Sequence, residues 1–304
     1  MVQTGITDEI LLEETGGGTD ITQFLGPITG AGHTVTQDVN QRKSIGQGVK
    51  PVTNLDTVAE LQGSLDFQPG DMQWLQLFGS FTDNGDGTYT VTLDQTLDQY
   101  TFKQQKVDDG GTVTLDNFTF GSFTLDVGEG DTMSVSVDGQ STDFQNDTTE
   151  TITTPAVTQE PRQFFQCYVE IGGTAVGSVD SASIDHNRSL QQFKGLEDDA
   201  DGRKRLPTEI IPSDFSLSYS LVVNIENNRA YEEALDDTTS PLEIQDSRSD
   251  TTVTLVVETE AGTDRLELTG ALFDEVSADM ENNGEKRTAT ITGVALDATV
   301  NGDL

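Results

Sequence analysis

The stretch FSLSYSLVVNI, residues 215–225, alternates apolar and polar side chains, with Val222 the one apolar residue on the polar side. Leu217, Tyr219, Leu221, Val223 and Ile225 fall on one side, and Ser216, Ser218, Ser220 and Asn224 on the other. Side chains of a strand point alternately to its two faces, so this segment is a strand with one buried face and one wet face. It is preceded by a second strand pattern, VDSASIDHNRSL, and a charged loop, KGLEDDADGRKRLP. NNRAYEEALDD follows with a brief helical signal over Asn228–Leu235. The unit at 179–236 is therefore strand, loop, strand, helix.

The same order recurs, more weakly, at residues 33–80. HTVTQDVNQRKS is a strand, and a loop with Gly46, Gly48 and Pro51 follows. A second strand carries Leu61, Gly63, Leu65 and Phe67 and stops at Pro69-Gly70, where Asp71 is placed to cap a short helix, DMQWLQLFGS. Aligning the two units sets Trp74 against Tyr231 and Phe78 against Leu235, and sets Leu65 and Phe67 against Val222 and Asn224 or their neighbours. These four helix residues read as core anchors packed on the sheet. The order of elements carries the match, since identity is weak.

The rest of the chain reads as β structure. EILLEETGGGTDITQFLGP predicts a strand, a glycine turn and a second strand. DNGDGTYTVTL predicts a hairpin turn and a strand with Tyr89, Val91 and Leu93 on one side; Asp83 and Asp86 belong to the turn, because the ligand order of a calcium loop is missing. VTLDNFTFGSFTLDV pairs with DTMSVSV, and the polar, Thr-rich residues 141–158 read as a connection. FFQCYVEIGGTAVGSV turns at Gly172-Gly173, and two hairpins follow, about Ala261-Gly262 and Asn283-Gly284. The expectation is an all-β chain with short flanking helices in two tandem domains, 1–158 with a short N-terminal arm and 159–304.

Asp and Glu number 53 against 16 Lys and Arg, a net charge of −37 in 304 residues. A small soluble domain needs a magnitude of only roughly 2–8. The carboxylates are dispersed among alternating strands rather than gathered in a tail, which argues against disorder. Such a surface suits high salt, where screening confines repulsion to short range, and sparse Lys with abundant Asp and Thr resembles the proteins of salt-loving archaea. Nucleic-acid affinity rests on cations, so specific binding to it is excluded. With neither a membrane-length apolar run nor a signal-peptide pattern at the start, a soluble protein made in the cytoplasm is expected.

Chemistry is sparse. The single cysteine, Cys167, lies in a strand pattern and reads as a small buried hydrophobe. His33 and His186 also lie in or beside strands and are distant from Cys167 in sequence. No phosphate-binding or dinucleotide fingerprint is present. Glu197, Asp199, Asp201 and Gly202 imitate the start of a calcium loop, but its twelfth position is Thr208 rather than glutamate. No enzyme and no cofactor are expected.

The segment VDSASIDHNRSLQQFKGL, the charged loop after it, and RLPTEIIPSDFSLSYSLVVNIENNRAYEEAL together resemble the tail tube proteins of long-tailed phages and archaeal viruses. The resemblance covers the second half directly and the first half through the repeat. It implies a β-sandwich or barrel with a flanking helix, whose sheets join around a ring to line a lumen. With two such units per chain, it implies rings of three chains in preference to six. In that family the long loop between the strands reaches the adjacent ring. That role would fall on Leu196–Leu206, with Glu197, Asp198, Asp199, Asp201, Arg203, Lys204 and Arg205, and in the first half on the loop 45–54 with Lys50.

The expected function is a structural virion protein: the major tail tube subunit, stacked into a conduit through which viral DNA passes without specific binding. Its partners would be further copies of itself and other tail proteins, such as the tape measure, baseplate and tail terminator. No membrane partner is expected. A baseplate hub or tail-terminator ring shares the fold and is the nearest alternative. A ligand- or receptor-binding β-sandwich is the alternative from another class, although it would display aromatic side chains on an exposed face.

Overall fold

The computed structural model describes residues 9–15, 20–42, 53–94, 98–105, 111–128, 131–155, 160–193, 207–224, 232, 249–280 and 287–304. Segments rich in Thr, Val, Phe and Leu, which favour the pleated conformation, form sixteen strands. In the first half these are β1 (Glu9–Glu14), β2 (Ile28–Arg42), β3 (Thr53–Phe67), β4 (Gly79–Asp83), β5 (Thr88–Leu93), β6 (Tyr100–Gln105), β7 (Thr112–Gly128), β8 (Ser134–Ser141) and β9 (Asp143–Asp147). The second half contributes β10 (Cys167–Ile171), β11 (Thr174–Phe193), β12 (Glu209–Asn224), β13 (Thr251–Glu258), β14 (Thr263–Met280), β15 (Arg287–Val294) and β16 (Asp297–Asp303).

All the ladders are antiparallel. Eight strands make one long sheet in the order β2-β3-β8-β7-β11-β12-β15-β14. The first part of β7 crosses into a small sheet, β1-β6-β7-β9. The first part of β14 crosses likewise into β10-β13-β14-β16, which β5 and β4 extend. Both crossings are made at a residue with positive φ, Asn117 at 51° and Gly270 at 62°. Asn and Gly are the residues that tolerate this conformation.

The alternation in β12 sorts as its sequence predicts. Leu217, Tyr219, Leu221 and Val223 are buried, while Ser216 and Ser220 are exposed. In β5, Tyr89, Val91 and Leu93 point inward. Asp83 and Asp86 hold the turn before it, accepting the Gly85 and Thr88 backbone N–H groups at 2.8 and 3.1 Å.

Three segments differ from expectation. DMQWLQLFGS forms a six-residue 3-10 helix, Gln73–Phe78, whose three-residue turn stacks Trp74 over Leu77 and Leu75 over Phe78, all buried. Asp71 lies one residue before the N-cap, Met72, and accepts the Gln73 N–H at 2.9 Å. Residues 20–25 form a 3-10 turn, Thr22–Phe24, in place of a second strand. There Asp20 accepts the Thr22 N–H and Thr22 accepts the Leu12 N–H, side-chain bonds that compete with a ladder. The expected connection at 141–158 contains β9, in which Phe144 opposes Leu115 and packs on the core.

The buried apolar residues form one cluster running through both halves. Its centre is the 3-10 helix. Trp74 meets Phe67 and Phe123 edge-on at 5.8 and 5.2 Å, and Phe78 meets Phe123 at 4.9 Å and His186 at 5.5 Å.

Candidate functional site: the outer face of the long sheet

Following the registers across the long sheet traces rows of side chains on its solvent face. One row runs Gly30, Asp66, Ser136, Thr124, Asp185, Ser218. The next runs Gly32, Ser64, Asp138, Ser122, Asn187, Ser216. A third runs Ser134, Asp126, Ser183, Ser220, Thr292, Glu275. Every side chain named in these rows is short or acidic and none is Lys or Arg, while the first row continues into the exposed Val294 and Leu272.

Hydroxyls tether several carboxylates to the sheet. Ser136 donates to Asp66 at 2.6 Å and Thr124 to Asp185 at 2.7 Å. Partial burial, and then the neighbouring Asp66, push the Asp138 carboxyl above its ordinary value. These rows are thus polar and negative, with no cation among them to grip a phosphate.

Burial pushes the Cys167 thiol up to about 12, which keeps it protonated and unreactive. His186 sits among Phe78, Phe123 and Phe215, and burial, then the Arg188 charge, push it down to about 4. His33 accepts or donates at 3.0 Å with Gln104. Among the described residues no group of three or more His, Cys, Asp or Glu side chains converges as a metal site would. Among the same residues no helix is long and apolar enough to cross a membrane.

Trp74 and Phe78, expected as core anchors, are fully buried. Tyr231 and Leu235 lie outside the described residues, and so do the loop residues Glu197, Asp198, Asp199, Asp201, Arg203, Lys204, Arg205 and Lys50. Sequence reading overlooked Asp264, a fully buried carboxylate in β14. Its phase gives it away, because it alternates in step with the buried Leu266 and Leu268. It also overlooked the two open edges of the long sheet. Within the described residues, β2 pairs only with β3, and 272–280 of β14 pair only with β15.

Sheet edges left unpaired, as these are among the described residues, are templates for pairing with another chain. The family described as phage tail tube protein matches residues 10–265, from inside β1 to inside β14. The chain belongs to the phage tail tube protein family. A comparison with curated proteins finds no match. As a tail tube protein it is a structural component of the virion tail, and it self-assembles into a tube together with other tail proteins.

Proposed function

We propose that this tail tube protein is the major tube subunit, that three copies close into a ring, and that stacked rings form the conduit for DNA ejection. The outer face of the long sheet lines the bore. The observation that carries this reading is the absence of any cation from the described rows of that face: DNA sliding past Ser, Thr, Gly and Asp finds no counterion-releasing contact.

The three-copy ring follows from a tandem duplication, which the ladders support. The order β2-β3-β8-β7 is repeated as β11-β12-β15-β14, and β1-β6-β7-β9 as β10-β13-β14-β16. Bulges coincide as well: Phe120/Ser122 with Phe273/Glu275, and Ile28/Gly30 with Val179/Ser181. The positive-φ crossings at Asn117 and Gly270 coincide too. This correspondence sets Leu65 and Phe67 against Leu221 and Val223. The two units are 1–158 and 159–304, and the loops 196–206 and 45–54 make the contacts between rings.

The net charge of −37 supports a halophilic host, where molar salt would screen repulsion between stacked rings. Electron microscopy of the purified protein in molar salt tests the reading. Long hollow tubes are expected; isolated single rings would favour a hub or terminator, and monomers would refute assembly. Dilution into low salt should loosen the tubes.

A further inference from the structure

The long sheet contains an internal seam where the two halves meet, β7 against β11. There Ser122 opposes Asn187, Phe123 opposes His186, and Thr124 opposes Asp185. Phe123 and His186 face the core and are buried, their rings 5.1 Å apart. Strand order and bulges make β14 the counterpart of β7 and β2 the counterpart of β11. Phe273 matches Phe120, because each opposes a glycine and is followed by a bulge. Val276 therefore matches Phe123. At the other end, Ala31 matches Ala182, since each lies past the same bulge and opposes a buried leucine. Val35 therefore matches His186.

Val35 opposes the buried Leu61 and so points to the core side, yet it is 41% exposed. Val276 opposes the buried Ile291 and is only half-buried. Each is a core-side residue at an edge that lacks its neighbour. Residues 28–36 of β2, ITGAGHTVT, contain no charge and no proline, so nothing blunts this edge against pairing. Leu272, Val294 and Leu296 add exposed apolar surface where the open edge of β14 begins.

Resting on the ring reading above, we infer that the open edge of β14 pairs antiparallel with the β2 edge of a second copy, in the register of the internal seam. Val276 then opposes Val35, Ser277 opposes Thr34 and Glu275 opposes Thr36. The partner is a second copy because the chain already contains a template for this junction, with matching strand direction, bulges and face. In this register the acidic rows of the outer face run on from one subunit to the next.

The test is cross-linking of Val35→Cys/Val276→Cys in a Cys167→Ala background. Directly opposed residues of an antiparallel pair lie about 4.5–5.5 Å apart at Cα, within disulfide reach. Oxidation of the assembled protein should shift it from one-chain to closed three-chain species in denaturing gels. Val35→Cys/Ala278→Cys, two residues out of register, and each single variant should stay at one chain. Assembly is scored by microscopy before oxidation, which separates the two readings. Rings that form but do not cross-link overturn this seam and leave the ring intact. A disulfide confined within one chain overturns the second copy as the occupant. Monomers under every condition overturn both the seam and the ring.

Discussion

Among the described residues, Asp264 is the one carboxylate that the fold buries completely. It lies on β14, and its Oδ2 accepts the Met72 N–H at 2.7 Å and the Tyr89 hydroxyl at 2.8 Å, tying the second half to the 3-10 helix and β5 of the first. Burial pushes its carboxyl from 3.8 up to about 6, outweighing the hydrogen bonds from Met72, Tyr89 and the Asp303 backbone that favour the charged form; the charge of Asp303 adds a smaller rise. The folded state therefore holds this proton more tightly than the unfolded chain does. Stability from this group is greatest below pH 4 and falls as pH rises through about 6. A shift of this size is worth about 3 kcal/mol in full, of which about 2 kcal/mol falls between pH 4.5 and 7.5. Asp264→Asn keeps an oxygen for both donors but cannot ionise. The assay is urea unfolding in molar KCl at several pH values, followed by fluorescence of Trp74, the single tryptophan and fully buried. High salt suppresses the background from the other carboxylates. The stability of the variant relative to the parent should rise by about 2 kcal/mol from pH 4.5 to 7.5. A difference that stays constant over that range would refute the reasoning.

Trp74→Ala should cost about 3–5 kcal/mol in the same unfolding assay, because a fully buried indole leaves a cavity beneath Phe67 and Phe123. Gly293→Val should destabilise by about 1–3 kcal/mol, since a Cβ there would fall 2.6 Å from Cζ of Tyr219; Gly293→Ala should show a smaller loss in melting temperature. His186 is held neutral in the folded state, so its stability contribution is complete above about pH 6.5 and is lost as pH falls toward 4. His186→Phe should remove that acid sensitivity while keeping the ring packing, as a melting series from pH 7.5 to 4.5 would reveal.

Much of the fold was legible because alternation reports burial directly. The serines of β12 and the hairpin at Asp83–Asp86 could be placed from period and turn chemistry alone. The turn at 20–25 could not, because its strand-like apolar residues Ile21 and Leu25 flank Thr22, whose N–H is accepted by Asp20 and whose hydroxyl accepts the Leu12 N–H. β9 was hidden for the opposite reason: its polar composition matches a linker, and only the edge of β7 and the single Phe144 make it a strand. An order of elements was legible but a register was not, since the bulges that shift strand alignment leave no mark in composition. The acidic face could be read only as a hypothesis, because sequence spacing places carboxylates on a strand and not beside one another on adjoining strands.

The open edges and the acidic face bear on the same question of ring size. Each chain supplies eight strands to the long sheet, so two copies would supply sixteen and three twenty-four. At about 4.8 Å between strands, twenty-four untilted strands close a circle about 37 Å across between backbones, and a tilt of about 40° widens it to about 48 Å. Sixteen strands give only about 24 Å untilted and about 32 Å tilted, the range in which barrels hold a water channel. On the proposed reading, in which a duplex passes through the ring, the larger opening is required. Rows of Ser, Thr, Gly and Asp facing that bore would intrude little on it, whereas Lys or Arg would both narrow it and bind a phosphate backbone. The proposed three-copy ring is then the smallest closed ring of this sheet that would admit a duplex.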